Sequence, residues 1–415
     1  MKQTTSLWLA AALGIALSAC SQPPKQANME TYEKGTFGYD LHYLQAKDSL
    51  VVLSDAAGEA QVIVSPGYQG KVFTSTASGL EGPSLGYLNY KALDATELNP
   101  HMNGYGGENR FWLGPEGGRY SVYFAPGDAQ VYDNWHTPKP TDSEPWQVVG
   151  SGPRSVSLAK VMDVQNYKGT RFHLKVDRSI HLLSREQIAD FLAVPLPDAL
   201  VCVGYATENT VTNRNDFAWT PETGTICIWM LDMFNTAPRS LTIVPYQKGD
   251  AATLGRVATT DYFGEIPADR LRIEEETLYL RTDGRYRSKL GLNPRRTRAI
   301  AGNYDPDQHR LTIATFDVDR QATYLNQEWN PAKDPLQGDA LNAYNDGPLD
   351  DGSLMGPFLE IESASPAAFL RPGETLTHHH QVFHFIGTEA QLTPISSALF
   401  GSSIEKLKNI FEPLD

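Results

Sequence analysis

The sequence predicts an all-β chain built from many short strands that are joined by turns. Glycine and proline are plentiful, at 34 and 27 residues, and they are spread along the 415-residue chain, as turn-forming residues would be. Hydrophobic residues make up 41% and aromatic residues 10% of the chain, which indicates a folded core rather than disorder. The length suits one large β domain or two ordinary ones, and no internal repeat or linker divides it.

Residues 1–19 are predicted to be a lipoprotein signal peptide. Lys2 supplies a positive start, and the apolar run 7–17 is too short to span a bilayer. The segment Leu17-Ser18-Ala19-Cys20 matches the bacterial lipobox, so Cys20 is expected to carry acyl chains that hold the protein on a membrane. A plain secretory signal is the alternative. Ser21 resembles the outer-membrane sorting signal, which favours the periplasmic face of the outer membrane in a bacterial cell envelope.

Residues 20–35 are polar and contain proline, and they are predicted to be a flexible tether. Residues 36–415 are then expected to form a single domain. Helical spacing of Phe37, Leu41 and Leu44 predicts a short helix at its start. Ser184 as N-cap predicts a second helix over 184–192, and apolar spacing predicts an amphipathic helix over 402–411 at its end. The runs predicted as strands are 49–54, 60–65, 71–75, 108–113, 171–177, 178–183, 200–205, 206–219, 224–231, 240–245, 311–317, 358–363 and 376–385.

The net charge and the cysteine positions argue against a nucleic-acid-binding protein and against a cysteine metal site. The net charge is −14 and no basic run is present, which argues against nucleic acid as a partner. It leaves room for one anionic group held by local arginines. The arginines between 285 and 298 are predicted to be a solvated face, with a site for an anionic ligand as the alternative. Cys202 and Cys227 lie in different predicted strands. Two free thiols are favoured over a disulfide, and no cysteine spacing indicates a metal site.

The densest motif is GGENRFWLGPEGG at 106–118. Its predicted strand places Glu108, Arg110 and Trp112 on one face. A guanidinium beside an indole suits a sugar, because the guanidinium bonds hydroxyls and the ring covers an apolar sugar face. The alternative is a structural arginine–glutamate pair under a tryptophan. His101, just upstream, could reach the same place.

The stretch 356–385 contains the second candidate site. Glu360 and Glu362 share one face of a predicted strand, and are either a solvated face or the floor of a site. A one-residue change of register would exchange the two faces of that strand. Upstream, Tyr344 and Asp346 belong to a polar loop that is either a pocket wall or a surface loop.

Three histidines share one face of the next predicted strand, at 378, 380 and 384. With Glu360 or Glu362 they could form a proton-transfer site, or His378, His380 and His384 could bind a divalent metal such as Zn²⁺. The alternative is that one or two of them are hydrogen-bonded in a polar cleft. Otherwise no cofactor is predicted.

The same stretch resembles the C-terminal signature of the aldose 1-epimerase (galactose mutarotase) superfamily. The matching segments are Leu359-Glu360, Ser365-Pro366, the turn at 370–374 and the last strand at 375–385. The resemblance implies a large antiparallel β-sandwich, the galactose mutarotase-like supersandwich, with a few short peripheral helices. It also implies a catalytic role for Glu360. Asn109-Arg110 resembles the pair by which mutarotases hold substrate hydroxyls.

One position departs from that family. Thr212-Asn213-Arg214 resembles the Thr-Asn-His segment that carries the catalytic histidine of mutarotases, but the histidine position holds Arg214. Arginine stays protonated and cannot act as a general acid. Arg214 could instead bind a carboxylate or hydroxyls, or pair with Asp216. The order of the motifs is also similar to that of an uncharacterised family of bacterial secreted proteins of this fold.

Two functions stay open from the sequence. The first is a carbohydrate-active protein with epimerase-, isomerase- or lyase-like chemistry, in which Glu360 is the base and His101 or His380 the acid. In that hypothesis the substrate contacts are Arg110, Trp112, Glu108, Arg214, Tyr344, Asp346 and Glu362. The second is a non-catalytic lipoprotein that binds a sugar or an oligosaccharide. A structural envelope lipoprotein would leave the tryptophan and arginine cluster unexplained.

Overall fold

The computed structural model describes residues 32–349 and 352–411, which form three antiparallel β-sheets flanked by short helices. The predicted signal peptide and Cys20 lie outside the described residues, as does most of the predicted tether. Within the part described, none of the helices has the length and apolar character needed to cross a membrane. The predicted all-β fold, a large antiparallel sandwich, is confirmed.

Ten strands form the larger layer of the sandwich. Its long central strands pair side by side, so that each buries one alternating face against the other layer. In order across the sheet the strands are β11 (Leu271–Ile273), β12 (Thr277–Arg281), β10 (Leu241–Pro245), β14 (Ile300–Asp305), β15 (Arg310–Phe316), β18 (Thr375–Ile386), β8 (Val201–Asn213), β7 (Arg171–Leu182), β6 (Ser155–Gln165) and β5 (Gln147–Gly152).

The opposite layer is a five-stranded sheet extended by a three-stranded one. A backbone bridge between Val72 and Asn109 joins the two. The five strands in order are β13 (Ser288–Leu292), β16 (Leu341–Asn345), β17 (Phe358–Ala364), β9 (Cys227–Asn235) and β4 (Arg110–Gly114), and the three are β1 (Val51–Ser54), β2 (Gln61–Ser65) and β3 (Lys71–Thr76).

The helices are short and lie at the periphery. Ser184 and Thr388 each form a capping box at the start of a helix, which satisfies its first free N–H groups. The helices are α1 (Phe37–Gln45), α2 (Tyr90–Leu93), α3 (Lys139–Asp142), α4 (Arg185–Leu192), α5 (Ala251–Leu254), α6 (Glu389–Phe400) and α7 (Ile404–Asn409).

Several predicted elements differ from the structure. The strands predicted over 200–205 and 206–219 are one strand, β8, which ends at Asn213. The two strands predicted over 171–183 are one continuous strand, β7. The C-terminal helix is preceded by the longer helix α6, which the sequence analysis did not predict. The strand predicted to start at Glu108 starts at Arg110, because Gly107 at φ +125° breaks the alternation just before it. Glu108 therefore does not share a face with Arg110.

A line of polar side chains crosses the interior between the two layers. On β18, His380 Nδ1 lies 2.8 Å from the hydroxyl of Ser363 on β17, and its Nε2 lies 2.7 Å from the carboxylate of Asp232 on β9. His378 Nε2 lies 2.8 Å from the same hydroxyl. Burial, and then the neighbouring His380, lowers the pKa of His378 to about 3, so its ring is neutral. The four side chains have no exposed surface.

Arg178 on β7 continues this line. It donates to Asn109 Oδ1 at 2.5 Å and to Asn209 Oδ1 at 2.6 Å, and Asn109 donates in turn to Asp232 at 2.6 Å. Burial lowers the pKa of Arg178 to about 10, and Tyr205 and Asp232 oppose that shift. The guanidinium thus keeps its charge in the interior, with Asp232 as a nearby counter-charge.

His384 links the layers in the same way. Its Nδ1 lies 2.9 Å from the Thr312 hydroxyl and its Nε2 lies 3.0 Å from the Glu108 carboxylate, which also accepts from Ser75.

Nowhere in residues 32–349 and 352–411 do three or more His, Cys, Asp or Glu side chains form a group that could hold a metal ion. Cys202 on β8 and Cys227 on β9 are free thiols.

We expect Asp232→Ala to lower the free energy of unfolding by about 3–5 kcal/mol, because it leaves a buried charge and a buried imidazole without their partner. Urea denaturation followed by tryptophan fluorescence measures this change. Asp198→Ala, in an exposed turn, is the control and should change stability by no more than about 0.5 kcal/mol. Equal effects of the two substitutions would contradict a stabilising role for the interior line.

Candidate functional site

A cleft lies on the outer face of the five-stranded sheet, on the side away from the ten-stranded layer. It encloses about 100 Å³, which is small beside the roughly 300–1,000 Å³ of sites for drug-sized ligands. The sheet contributes its floor, and loops contribute its walls. The floor residues are Arg110, Trp112, Trp229, Leu231, Met233, Lys289, Tyr344, Phe358, Glu360 and Glu362, and the wall residues are Met102, Glu116, Tyr132, Trp135, Phe263, Arg287, Trp329 and Met355.

Strand alternation decides which side chains reach the cleft. On β17, Ser363 points to the interior and contacts His378 and His380, so Glu360 and Glu362 point outward together. The same alternation on β9 turns Asp232 inward. Every residue of β17 is nevertheless buried, because the ten-stranded layer covers one face and the loops cover the other.

The two carboxylates on the floor are each paired with a cation. Arg110 on β4 forms a hydrogen-bonded ion pair with Glu360. Glu362 accepts from Lys289 Nζ on β13 at 2.8 Å and from Trp229 Nε1 at 3.0 Å. In each pair the cation and the carboxylate come from strands with one strand between them, β9 for Arg110 and Glu360 and β16 for Lys289 and Glu362.

Burial sets the protonation of this cluster. It raises the pKa of Glu360 to about 8, with Glu362 adding to the shift while Arg110 and Lys289 oppose it. It also raises the pKa of Glu116, which accepts a hydrogen bond from the Trp329 side chain. Burial alone would lower the pKa of Lys289, but Glu362 and Glu116 outweigh it and raise that pKa. Glu360 is thus poised to gain or lose a proton near neutral pH.

Aromatic side chains close the cleft above this floor. The rings of Trp135 and Trp329 stack with centroids 6.0 Å apart, and Tyr132 stacks on Trp135 at 6.2 Å. On the floor, Trp112 and Trp229 meet edge to face at 5.7 Å. Such planar walls present apolar surface beside the charged groups.

Two buried polar atoms of the floor lack a protein partner. Oε1 of Glu362 and Nε of Arg110 make no hydrogen bond to any described residue. Buried polar atoms are nearly always satisfied in folded proteins. A hydroxylated ligand would satisfy such an unpaired acceptor and an unpaired donor.

The structure brings five of the predicted site residues together in this cleft: Glu360, Glu362, Arg110, Trp112 and Tyr344. Asp346 lies behind them and accepts from the Tyr344 hydroxyl at 2.9 Å. His101 supports the wall from outside, since its ring stacks on Tyr132 at 4.7 Å and its Nδ1 lies 2.7 Å from the Trp135 carbonyl oxygen.

The other predicted site residues lie elsewhere. His380 and Glu108 point into the interior between the layers, so the five-stranded sheet separates them from the cleft. Arg214 is exposed at the turn after β8, where its backbone N–H donates to His173. Strand alternation in the sequence placed Glu108 and His380, and alternation does not tell the interior face from the outer one. Arg214 was singled out by the family resemblance.

Several residues of the cleft were not among the predicted site residues. Glu116 belongs to the motif that contains Arg110, and Arg287 belongs to the arginine-rich segment. Both could therefore have been proposed from the sequence. A lone lysine at 289, in a short strand that also contains two leucines, was a weak signal. Trp135, Trp229 and Trp329 come from distant segments, and no local pattern places them beside Glu360.

The chain belongs to a family of unknown function, DUF6786. The model of that family matches residues 35–411. No curated protein matches it in sequence.

Several solved structures are similar to the chain. A galactose mutarotase-like protein from Lactobacillus casei shares 13% identity at a TM-score of 0.47, over 81% of this chain and 100% of that one. A candidate aldose 1-epimerase from Escherichia coli K12 shares 14% at a TM-score of 0.48, over 81% and 98%. A protein from Synechocystis sp. PCC 6803 shares 12% at a TM-score of 0.49, over 82% and 97%.

We expect the stability of the protein, relative to its Glu360→Gln variant, to fall as the pH rises from about 5 to about 8. Folding raises the pKa of Glu360 from about 4.5 to about 8, so the folded state keeps a proton that the unfolded state releases. The resulting stabilisation is complete below about pH 4.5 and is lost as the pH passes 8. Glutamine resembles the protonated carboxyl group and does not titrate.

Urea denaturation at several pH values measures the difference in unfolding free energy between the two proteins. Glu97→Gln, on the exposed surface, is the control, and its difference from the natural protein should stay flat. A flat difference for Glu360→Gln as well would show that the environment of Glu360 does not favour its protonated form.

Proposed function

We propose that this member of DUF6786 is a lipid-anchored, carbohydrate-active protein whose cleft binds a sugar. The observation that carries the proposal is the floor of the cleft, where two buried carboxylates, each paired with a cation, lie under walls of tryptophan. The resemblance of the Glu360 segment to the mutarotase signature supports the same conclusion.

The cleft offers a sugar both kinds of contact that it needs. Each sugar hydroxyl is a donor and an acceptor, and the open Oε1 of Glu362 and Nε of Arg110 supply one acceptor and one donor. The C–H face of a sugar ring is apolar and packs on an indole. Trp329 is only partly buried, so it can cover a ring that enters the cleft.

The chemistry we propose is proton transfer by Glu360, as in an epimerase, an isomerase or a lyase. In an epimerase, Glu360 would take the proton of the anomeric hydroxyl while an acid protonates the ring oxygen, so that the C1–O5 bond breaks and a C1=O bond forms. A group that titrates near the working pH is best suited to such a step. Arg110 orients Glu360 and the reacting oxygen.

The acid of this step is Glu116 in our proposal, in place of His101 or His380. Glu116 lines the same cleft, and burial raises the pKa of its carboxyl group, which favours the protonated form that an acid needs. Neither histidine lines the cleft, and His380 lies on the far side of the sheet.

A non-catalytic sugar-binding lipoprotein is the second candidate. It is favoured by the absence of histidine among the cleft residues that the structure describes, and by Arg214 at the position where mutarotases hold their catalytic histidine. In that case the charged floor serves recognition alone.

We further propose that Cys20 anchors the protein to the outer membrane, facing the periplasm. The lipobox at 17–20 supports this.

We expect soluble protein that begins after Cys20 to bind a monosaccharide and Trp329→Ala to weaken that binding about tenfold, since a lost stacking partner is worth roughly 1.4 kcal/mol. Isothermal titration calorimetry with neutral sugars and uronic acids measures binding. Phe191→Ala removes an exposed aromatic ring outside the cleft and should change nothing. If no sugar binds, the proposal is wrong.

Turnover separates the two candidates. For an enzyme, Glu360→Gln should still bind the sugar but lose about 10²- to 10⁴-fold in rate, the usual contribution of a general base. Anomeric exchange followed by NMR measures this rate. Binding without measurable turnover in the natural protein would favour the non-catalytic candidate.

We expect Cys20→Ser to move the protein from the membrane fraction to the soluble fraction, because no thiol remains to carry lipid. Fractionation of bacteria that express each form, with incorporation of labelled palmitate, measures this. Membrane retention of the variant would contradict anchoring at Cys20.

A further inference from the structure

We propose that the sugar carries an anionic group, and that Arg287 at the mouth of the cleft binds that group. This inference rests on the proposed sugar-binding function and names its substrate class, an acidic monosaccharide.

Arg287 differs from the other two cations of the cleft in its partners. Arg110 is paired with Glu360, and Lys289 with Glu362. Within the described parts of the chain, no carboxylate forms an ion pair with Arg287, although the side chain is half-buried. The cleft therefore contains one cation whose charge a ligand can neutralise.

The guanidinium of Arg287 is held in place by contacts that leave its outer edge open. It lies 3.8 Å from the centroid of the Phe263 ring, and its Nε donates to the Tyr344 hydroxyl at 3.3 Å. That hydroxyl is fixed in turn by Asp346 at 2.9 Å. The two terminal nitrogens have no hydrogen-bond partner among the described residues, and together they form the fork that binds a carboxylate or phosphate through two bonds.

The charges around Arg287 favour an anion over a neutral group. The other two cations of the cleft each face a carboxylate on the floor, Arg110 with Glu360 and Lys289 with Glu362. Asp346 interacts with Arg287 electrostatically, but no carboxylate of the described residues forms an ion pair with Arg287, in a chain whose net charge is −14. A local positive site on an acidic protein selects an anionic ligand rather than attracting anions in general.

The floor of the cleft indicates the chemistry of the rest of the ligand. Oε1 of Glu362, buried and without a partner, accepts from a hydroxyl and not from a second anionic group. The enclosed 100 Å³ suits a small ligand. One anionic group at the mouth and hydroxyls at the floor describe a sugar acid or a sugar phosphate.

The test compares matched sugars by calorimetry on the soluble protein. The pairs are glucose with glucuronate, galactose with galacturonate, and glucose with glucose 6-phosphate. We expect at least one acidic sugar to bind about tenfold or more tightly than its neutral partner, as a charge-assisted hydrogen bond provides. The uronates and the sugar phosphate distinguish the two sources of the anionic group.

Substitution assigns the effect to one residue. Arg287→Gln should abolish the preference for the acidic sugar while leaving the affinity for the neutral sugar within about twofold. Arg287→Lys, which keeps the charge but not the fork, should retain part of the preference. Arg285→Gln removes a neighbouring exposed arginine as the matched control and should retain all of it.

Salt provides a readout that does not depend on the variants folding. Raising sodium chloride from 50 to 500 mM should weaken binding of the acidic sugar and leave binding of the neutral one unchanged. Neutral sugars that bind as tightly as acidic ones would overturn the inference and leave the proposed function standing. Failure of every sugar to bind would overturn both.

Discussion

The site depends on the burial of β17 on both of its faces. Ser363 holds the inner face through His378 and His380 of the ten-stranded layer, and this fixes the register in which Glu360 and Glu362 turn outward. Because alternation along a strand is strict, a shift of one residue would place both carboxylates in the interior. The packing of the two layers on the inner face of β17 therefore also determines which side chains of β17 line the cleft.

One group of polar residues lies on each side of the five-stranded sheet, and the two groups have different roles. The interior group includes Ser363, His380 and Asp232, in contacts of 2.8 and 2.7 Å. The residue types are those of a hydrolytic triad, but all three side chains are fully buried, so no substrate reaches them. Their hydrogen bonds align the layers. The outer group also contains buried acidic and basic side chains, but these line a cleft that a ligand can enter from solvent.

The outer group combines several features that are typical of ligand sites. Its carboxylates are buried and paired, its walls are aromatic, and two of its polar atoms are unsatisfied. Holding Glu360 in this environment costs stability, since burial opposes its charge. In our proposal a ligand offsets this cost, and its anionic group binds Arg287.

The sequence by itself determined the features that arise from neighbouring residues. The alternation of β17 put Glu360 and Glu362 on one face, Ser184 capped α4, and the motif around Arg110 placed a guanidinium beside Trp112. The tertiary structure alone decided which face of each strand meets the other layer. It sent His380 and Glu108 into the interior, and it gathered Glu116, Lys289 and Trp329 from distant segments around Glu360. Local geometry repeats every two residues in a strand, whereas the partner of each face is set by pairing between segments up to a few hundred residues apart.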